Sequence, residues 1–404
     1  MSKHAIVNLS DAEELALLGG QPVRSHRLPQ GLVPDEDLRT RLAKVVEDGI
    51  LSEYYNGPHA RGFEERFAAY HGDEFHALGV NSGTSALHLA LEAAGVGPGD
   101  EVILPALCFV AAAVAVVQLG ASPVICDVDS ESLTLDPAAA AVLVGPRTKA
   151  ILPVHFWGYT ADVASLRSLC DEHGLMLIED TAQAPGANVG GRKAGTYGDF
   201  ATFSFANRKH VTCGEGGMVL TRSEERLALM RALSNCGKGL GWDDYISHGY
   251  SYRMTELIGV IGLYGLERLD EEIAARQAAA DEYRDALDET GLEPIPAPRW
   301  GDAVYFKLPI RLPEDHVGDR QFVVDAINAE NVSCRVPHRP LYAIDWLAER
   351  SRASGHFRGA AECRVTDALH RRLIEVETGP NMPIDEARTS ARAVRKVWRK
   401  LVGT

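Results

Sequence analysis

Several things are scarce or missing in this 404-residue chain. It has seven cysteines, an odd number with no C-x-x-C pair, so neither a disulfide framework nor a zinc site is expected, and the thiols read as small buried groups in a reducing compartment. Positive charge is in deficit: 41 Lys and Arg stand against 56 Asp and Glu, a formal net charge of −15. That balance excludes general binding to nucleic acid or to an anionic membrane, although it leaves room for a local phosphate site. Long apolar runs are lacking too. The longest, Ala111 to Cys126, is interrupted by Gln118, Gly120, Ser122 and Pro123, and Met1 to Leu18 holds no signal-peptide core, so the chain reads as cytoplasmic. No G-x-G-x-x-G follows a strand pattern and no P-loop is present, which places a nucleotide-binding reading last. Internal repeats and low-complexity tracts are also absent.

From about residue 75 the chain alternates helix and strand patterns. Helices are expected at Ser85–Ala94, Phe109–Leu119, Asp162–His173 and Glu224–Ser234. Strands are expected at Glu101–Leu104, Pro123–Asp127, Lys149–Val154, Leu175–Glu179, Ala201–Phe205 and Met218–Thr221. Apolar strands separated by helices imply an α/β domain whose mostly parallel sheet is covered on both faces. Arg253–Leu287 reads as one long helix, and Pro294, Pro296 and Pro298 follow it. This sets a boundary near 290: residues 1–290 as a large domain with its linking helix, and 291–404 as a smaller α+β domain. The smaller part has strand patterns at Val304–Leu312 and Val332–Val336 and helices at Asp319–Ala329 and Asp385–Leu401. In open parallel sheets ligands bind beyond the carboxyl ends of the strands.

Four segments fall at such places. Asn81-Ser82-Gly83-Thr84-Ser85 lies where a short strand meets a helix. Its glycine, hydroxyls and free N–H groups suit a phosphate, although by themselves they read first as a helix N-cap. Leu177 to Gln183 is an apolar strand ending in Glu179-Asp180. A carboxylate there can keep a pyridine nitrogen protonated, or merely cap a helix. Phe203 to Lys209 leads into Gly214-Glu215-Gly216-Gly217. A lysine after a strand can form a Schiff base with an aldehyde cofactor; Arg208, Lys209 and His210 could equally be a basic patch. Gly249 to Met254 precedes the long helix. Phe109, after another strand end, could stack on a ring or belong to the core. His155 reads as a satisfied core histidine.

In order and spacing, NSGTSALHLAL from Asn81, DEVILPALCFVA from Asp100, EDTAQAPGA from Glu179, FSFANRKHVTCGEGGMVLT from Phe203, YRMTE from Tyr252 and GLERLDE from Gly265 resemble the DegT/DnrJ/StrS family of sugar aminotransferases, of pyridoxal-phosphate (PLP) fold-type I. The resemblance runs from Leu15 to about Gly379 and is densest between Gly79 and Leu269. It implies pyridoxal 5′-phosphate as cofactor, cycling through its pyridoxamine form, and no metal. Lys209 would carry the cofactor and later move protons. Asp180 would pair with the pyridine nitrogen, Gln183 with the phenolic oxygen, and Phe109 would stack on the ring. Gly83, Thr84 and Ser204 would hold the phosphate. The family completes each site from a neighbouring subunit through a GYNYRM loop. Its asparagine contacts the phosphate, and Ser251 stands at that position here, so a homodimer is implied with a shorter-reaching cross-subunit contact. Cys108 replaces a frequent threonine and Pro185 a frequent histidine.

The implied activity is transfer of an amino group from Glu or Gln to a keto-sugar, nucleotide-linked, in amino-sugar or antibiotic biosynthesis. Three alternatives stay open: a keto-cyclitol acceptor, a PLP-dependent sugar dehydratase in which histidine replaces the lysine, and a non-catalytic PLP-binding regulator.

Overall fold

The computed structural model describes residues 14–52, 57–239, 241, 243–353 and 362–403; residues 1–13, read above as lacking a signal-peptide core, lie outside that set. Seven strands form the main sheet: β1 (His76–Val80), β2 (Glu101–Pro105), β3 (Ser122–Cys126), β4 (Thr148–Ile151), β5 (Met176–Asp180), β6 (Phe200–Ser204) and β7 (Gly217–Thr221), in the order β1-β7-β6-β5-β4-β2-β3. Only β7 runs against its neighbours; the other pairs are parallel. Strand alternation separates two cores. Val102, Leu104, Ile178 and Val219 face one side with the helix Gly83–Ala93. Ile103, Ile151 and Leu177 face the other with Leu166 and Cys170 of the helix Val163–His173. Burial on both faces explains why these strands read as continuous apolar runs. It also brings the carboxyl ends of β1, β2, β4, β5 and β6 to one edge.

A second sheet, fully antiparallel, joins Glu293–Pro294, Leu308–Arg311, Leu373–Val376 and Cys334–Arg335 in that order. Helices Arg320–Ala329 and Ile384–Val402 accompany it. The latter buries Ala387, Ala391, Val394, Val397 and Trp398 along one stripe, the spacing of an amphipathic helix. The α/β plus α+β architecture is therefore the one expected.

Three departures from the sequence reading appear. Arg253–Leu287 is two helices, Glu256–Leu266 and Leu269–Leu287. The first opens on Thr255, whose hydroxyl accepts from Ile258 N–H (3.4 Å). At the break Arg268 leaves helical geometry (φ −113°, ψ 3°), and its guanidinium caps the freed Tyr264 carbonyl (3.1 Å) while lying over the Tyr264 ring (3.6 Å). The strand expected at Val304–Leu312 is only Leu308–Arg311, because Tyr305 turns left-handed (φ 48°) and side chains take its carbonyl. Helices Glu36–Asp48 and Pro58–His71, before residue 75, were not anticipated. The N-terminal stretch also bonds to the smaller part: Val23 N–H donates to Glu330 (2.7 Å), and Arg24 forms a buried pair with Glu377 (2.6 Å).

Candidate active site

The end of β5 decides the site. Alternation along the strand sends its adjacent carboxylates to opposite faces. Glu179 is fully buried and bonded at both oxygens. Tyr197 and Gly198 N–H donate to Oε1 (2.8 and 2.6 Å), and Gly195 N–H and His155 Nε2 to Oε2 (2.8 and 3.1 Å). Since His155 Nδ1 accepts from Ala161 N–H (3.0 Å), the imidazole proton sits on Nε2. Burial alone would raise the Glu179 carboxyl, but the His155 bond and the backbone amides outweigh it and hold it below the ordinary value. His155 is thus a satisfied core histidine.

Asp180 faces the carboxyl edge. It is 5% exposed and accepts from the Ala182 amide (3.0 Å). Burial raises its carboxyl above the ordinary value, against the opposing pull of that amide and of the nearby Lys209 and His155. Lys209 follows β6 in a loop closed by Asn207 N–H to Gly214 O (3.0 Å) and Cys213 N–H to Phe205 O (2.7 Å). Its Nζ lies 4.3 Å from the centroid of the Phe306 ring. Desolvation, joined by the charges of Arg276 and Arg335 and opposed by Asp180, lowers the amine to about 8. An amine and a carboxylate whose proton affinities are moved toward each other in one cleft mark a functional site. His210 goes elsewhere: buried, it engages the Val304 carbonyl through Nε2 (2.8 Å), and desolvation keeps it neutral.

The phosphate candidates meet at the ends of β1 and β6. Ser82 caps the helix Gly83–Ala93 by accepting from Ser85 N–H (3.1 Å), so the cap reading holds for Ser82, while the other first-turn N–H groups are of the kind that can meet an anion. A Cβ on Gly83 would lie 2.7 Å from Ser204 Cβ, and one on Gly217 only 2.3 Å from the Ser82 carbonyl oxygen. Two of the glycines singled out therefore let β1, β6 and β7 close around this helix start. Thr84 and Ser204 are partly exposed there.

Phe109, after β2, is 48% exposed, with the edge of His338 5.4 Å away between centroids; it is a free ring face rather than core. Gln183 is 6% exposed and accepts at Oε1 from Trp157 N–H (2.8 Å), which leaves its NH₂ to donate elsewhere. Cys108 is buried beside Asp180. Ser251 is exposed, and its carbonyl accepts from the Asn81 side chain of the same chain (3.4 Å). Sequence reasoning missed Arg276 on the helix Leu269–Leu287, Arg335 on the second sheet, and Phe306 and His338 in the segments beside it; no motif marks them.

A buried acid, a neutralisable amine, a free aromatic face and a helix N-terminus with hydroxyls fit pyridoxal phosphate, which needs an acid for its ring nitrogen, a Schiff-base amine and an anion cradle.

Comparison with known proteins agrees. A family model described as the DegT/DnrJ/EryC1/StrS aminotransferase family matches residues 35–395. The dTDP-3-amino-3,4,6-trideoxy-alpha-D-glucose transaminase of Streptomyces venezuelae is 40% identical over 376 residues, 91% of this chain and 94% of that protein. The L-glutamine:2-deoxy-scyllo-inosose aminotransferase of Streptoalloteichus tenebrarius is 38% identical over 347 residues, 81% of each. The crystal structure of DesI in the presence of its TDP-sugar product superposes with a TM-score of 0.84 at 31% identity, covering 96% of this chain and 98% of that one. Fold and comparisons define a pyridoxal-phosphate-dependent transaminase of fold-type I. The chain belongs to the DegT/DnrJ/EryC1/StrS aminotransferase family.

Proposed function

We propose that this enzyme moves an amino group from glutamate or glutamine to a nucleotide-linked keto-sugar, with Lys209 as the cofactor amine. The observation that carries the reading is Lys209 opposite Asp180 at the carboxyl edge, its amine lowered to about 8. When bound, pyridoxal phosphate supplies the electron-withdrawing ring that stabilises a carbanion at the substrate carbon. Asp180 holds the proton on the ring nitrogen. Lys209 Nζ would take the α-proton of the substrate and return it; an amine near 8 is free enough to act as a base at neutral pH. The Gln183 NH₂ donates to the phenolic oxygen, and Phe109 covers the ring face. Gly83 and Thr84 N–H groups with Ser204 hold the phosphate.

The full-length similarity to a dTDP-sugar transaminase supports a nucleotide-linked acceptor in amino-sugar or antibiotic biosynthesis. The similarity to a scyllo-inosose aminotransferase supports a cyclitol as the second reading. The neutral, inward-turned His210 argues against the dehydratase. A homodimer is part of the proposal, with Ser251 near the partner's site; exposed Val46, Ile50 and Leu51 supply apolar surface for it. A cytoplasmic site accords with the free cysteines; among the described residues no helix is long and apolar enough to cross a membrane. The test is spectroscopic. The purified enzyme should show a visible absorption band that borohydride or Lys209→Ala abolishes, and its pyridoxamine form should regain that band with a nucleotide-linked keto-sugar. A band that persists in Lys209→Ala overturns the assignment.

A further inference from the structure

Arg276, in the middle of the helix Leu269–Leu287, is only 1% exposed. Glu272, one turn earlier, accepts from its Nε (2.6 Å). The rest of the guanidinium points at three carbonyls: Nη1 donates to Tyr305 O (3.4 Å) and Phe306 O (3.3 Å), and Nη2 to Arg208 O (3.4 Å). Two of these belong to left-handed non-glycine residues, Arg208 (φ 76°) and Tyr305 (φ 48°). Such conformations are strained for residues with a Cβ and persist where the surroundings over-determine them. Arg208 directly precedes Lys209. Tyr305 directly precedes Phe306, the ring beneath the Lys209 amine. Gly379 completes the enclosure, since a Cβ there would lie 2.9 Å from Arg276 Cζ.

We propose that Arg276 is a positioning residue for Lys209: it clamps the two left-handed turns that carry the amine and the Phe306 ring beneath it, and so fixes where Nζ can reach. The proposal rests on Lys209 being the cofactor amine. One buried planar fork serves both turns, a task that a single ammonium on a flexible stem cannot perform. Its charge adds a second effect, because after burial it is one of the neighbours that lower the Lys209 amine. Geometry and charge can therefore be separated by substitution.

The experiment compares Arg276→Lys, Arg276→Gln and Gly379→Ala, the last of which displaces the guanidinium without removing it. Three quantities are read: kcat and KM for the amino donor, thermal unfolding, and the pH midpoint for acetic-anhydride labelling of Lys209 in the cofactor-free protein, followed by mass spectrometry. Arg276→Lys should keep the labelling midpoint near 8 but lose kcat by roughly 10²-fold, the cost of misplacing a reacting group by about an ångström, with KM little changed. Arg276→Gln should lose kcat similarly and raise the midpoint. Gly379→Ala should lower kcat while leaving the midpoint near that of the parent. If Arg276→Gln does not fold, the other two variants decide. Folded Arg276→Lys and Gly379→Ala with kcat within about twofold of the parent would overturn the proposal. The labelling needs no cofactor, so it reports on Arg276 and Lys209 even if the Lys209→Ala spectrum contradicts the proposed chemistry.

Discussion

Two loops flank the end of β5, and they treat their carboxylates in opposite ways. The Gly195–Gly198 loop closes on Glu179 with three backbone amides, and His155 adds a fourth donor, so every lone pair within reach is used. The Ala206–Lys209 loop leaves Asp180 with the Ala182 amide and sets an amine over an aromatic ring instead of against an acceptor. One side has its carboxyl lowered and its polar groups matched; the other has a carboxyl raised and an amine lowered. On the proposed function, adjacent residues of one strand are divided between holding the fold and serving the chemistry. A polar group left short of partners is what a ligand can complete; a saturated one has nothing to offer.

The sharpest way to break the comparison is Lys209→Ala. It should remove the visible band and reduce turnover by at least about 10³-fold, because both the covalent link and the proton carrier are lost. The fold should be retained, since Lys209 Nζ makes no hydrogen bond among the described residues. A stopped-flow half-reaction with glutamate measures it, and a rate within tenfold of the parent would mean that another amine serves. Asp180→Asn should come next. The ring nitrogen would lose its charge-assisted partner, and kcat should fall by about 10²–10³-fold with the structure intact. Glu179→Gln should do the reverse. An amide placed against three N–H donors leaves buried groups unpaired, so stability should drop by about 3 kcal/mol or more, while the folded fraction keeps near-parental kcat. Denaturant unfolding alongside kinetics separates the two. If Glu179→Gln lost activity and Asp180→Asn lost stability, the division would be the wrong way round.

Much of this was legible in the sequence for local reasons. Strand patterns placed Asp180, Lys209 and Gly83 at the same edge, since the carboxyl ends of parallel strands must share one. The Ser82 hydroxyl declared a helix start. What stayed hidden depends on distant partners. Arg268 ends a helix that periodicity runs straight through, because its side chain caps a carbonyl one turn back. Tyr305 and Arg208 are left-handed where distant side chains take their carbonyls: Arg276, 68 residues from Arg208, donates to both, and Thr378 also donates to Tyr305. That Glu179 rather than Asp180 is the saturated carboxylate follows from the register of β5 and the path of the 195–198 loop. Neither is readable from the dipeptide itself.

The smallest expected effect concerns pH, and here the two carboxylates should pull in opposite directions. Glu179 has a folded value below its ordinary one, so its contribution is complete above the ordinary carboxylate range and is lost as pH falls through the folded value. Asp180 has a folded value above its ordinary one. Between the two the unfolded chain is ionised while the folded one keeps its proton, so stability falls as pH rises through that interval and the charge is carried at a cost at neutral pH. Lys209, at about 8 against an ordinary 10.5, adds a cost below 8 that is relieved between 8 and 10.5. The cofactor-free Asp180→Asn protein should therefore unfold at a slightly higher temperature than the parent at pH 7, and the gap should close toward pH 3. Asparagine also strips Lys209 of its counter-charge, so the Lys209 labelling midpoint should move below 8 and offset part of the gain. A parental unfolding temperature that exceeds the variant's at pH 7 would show that Asp180 is already satisfied before any ligand arrives, and the contrast between the two loops would then lose its physical basis.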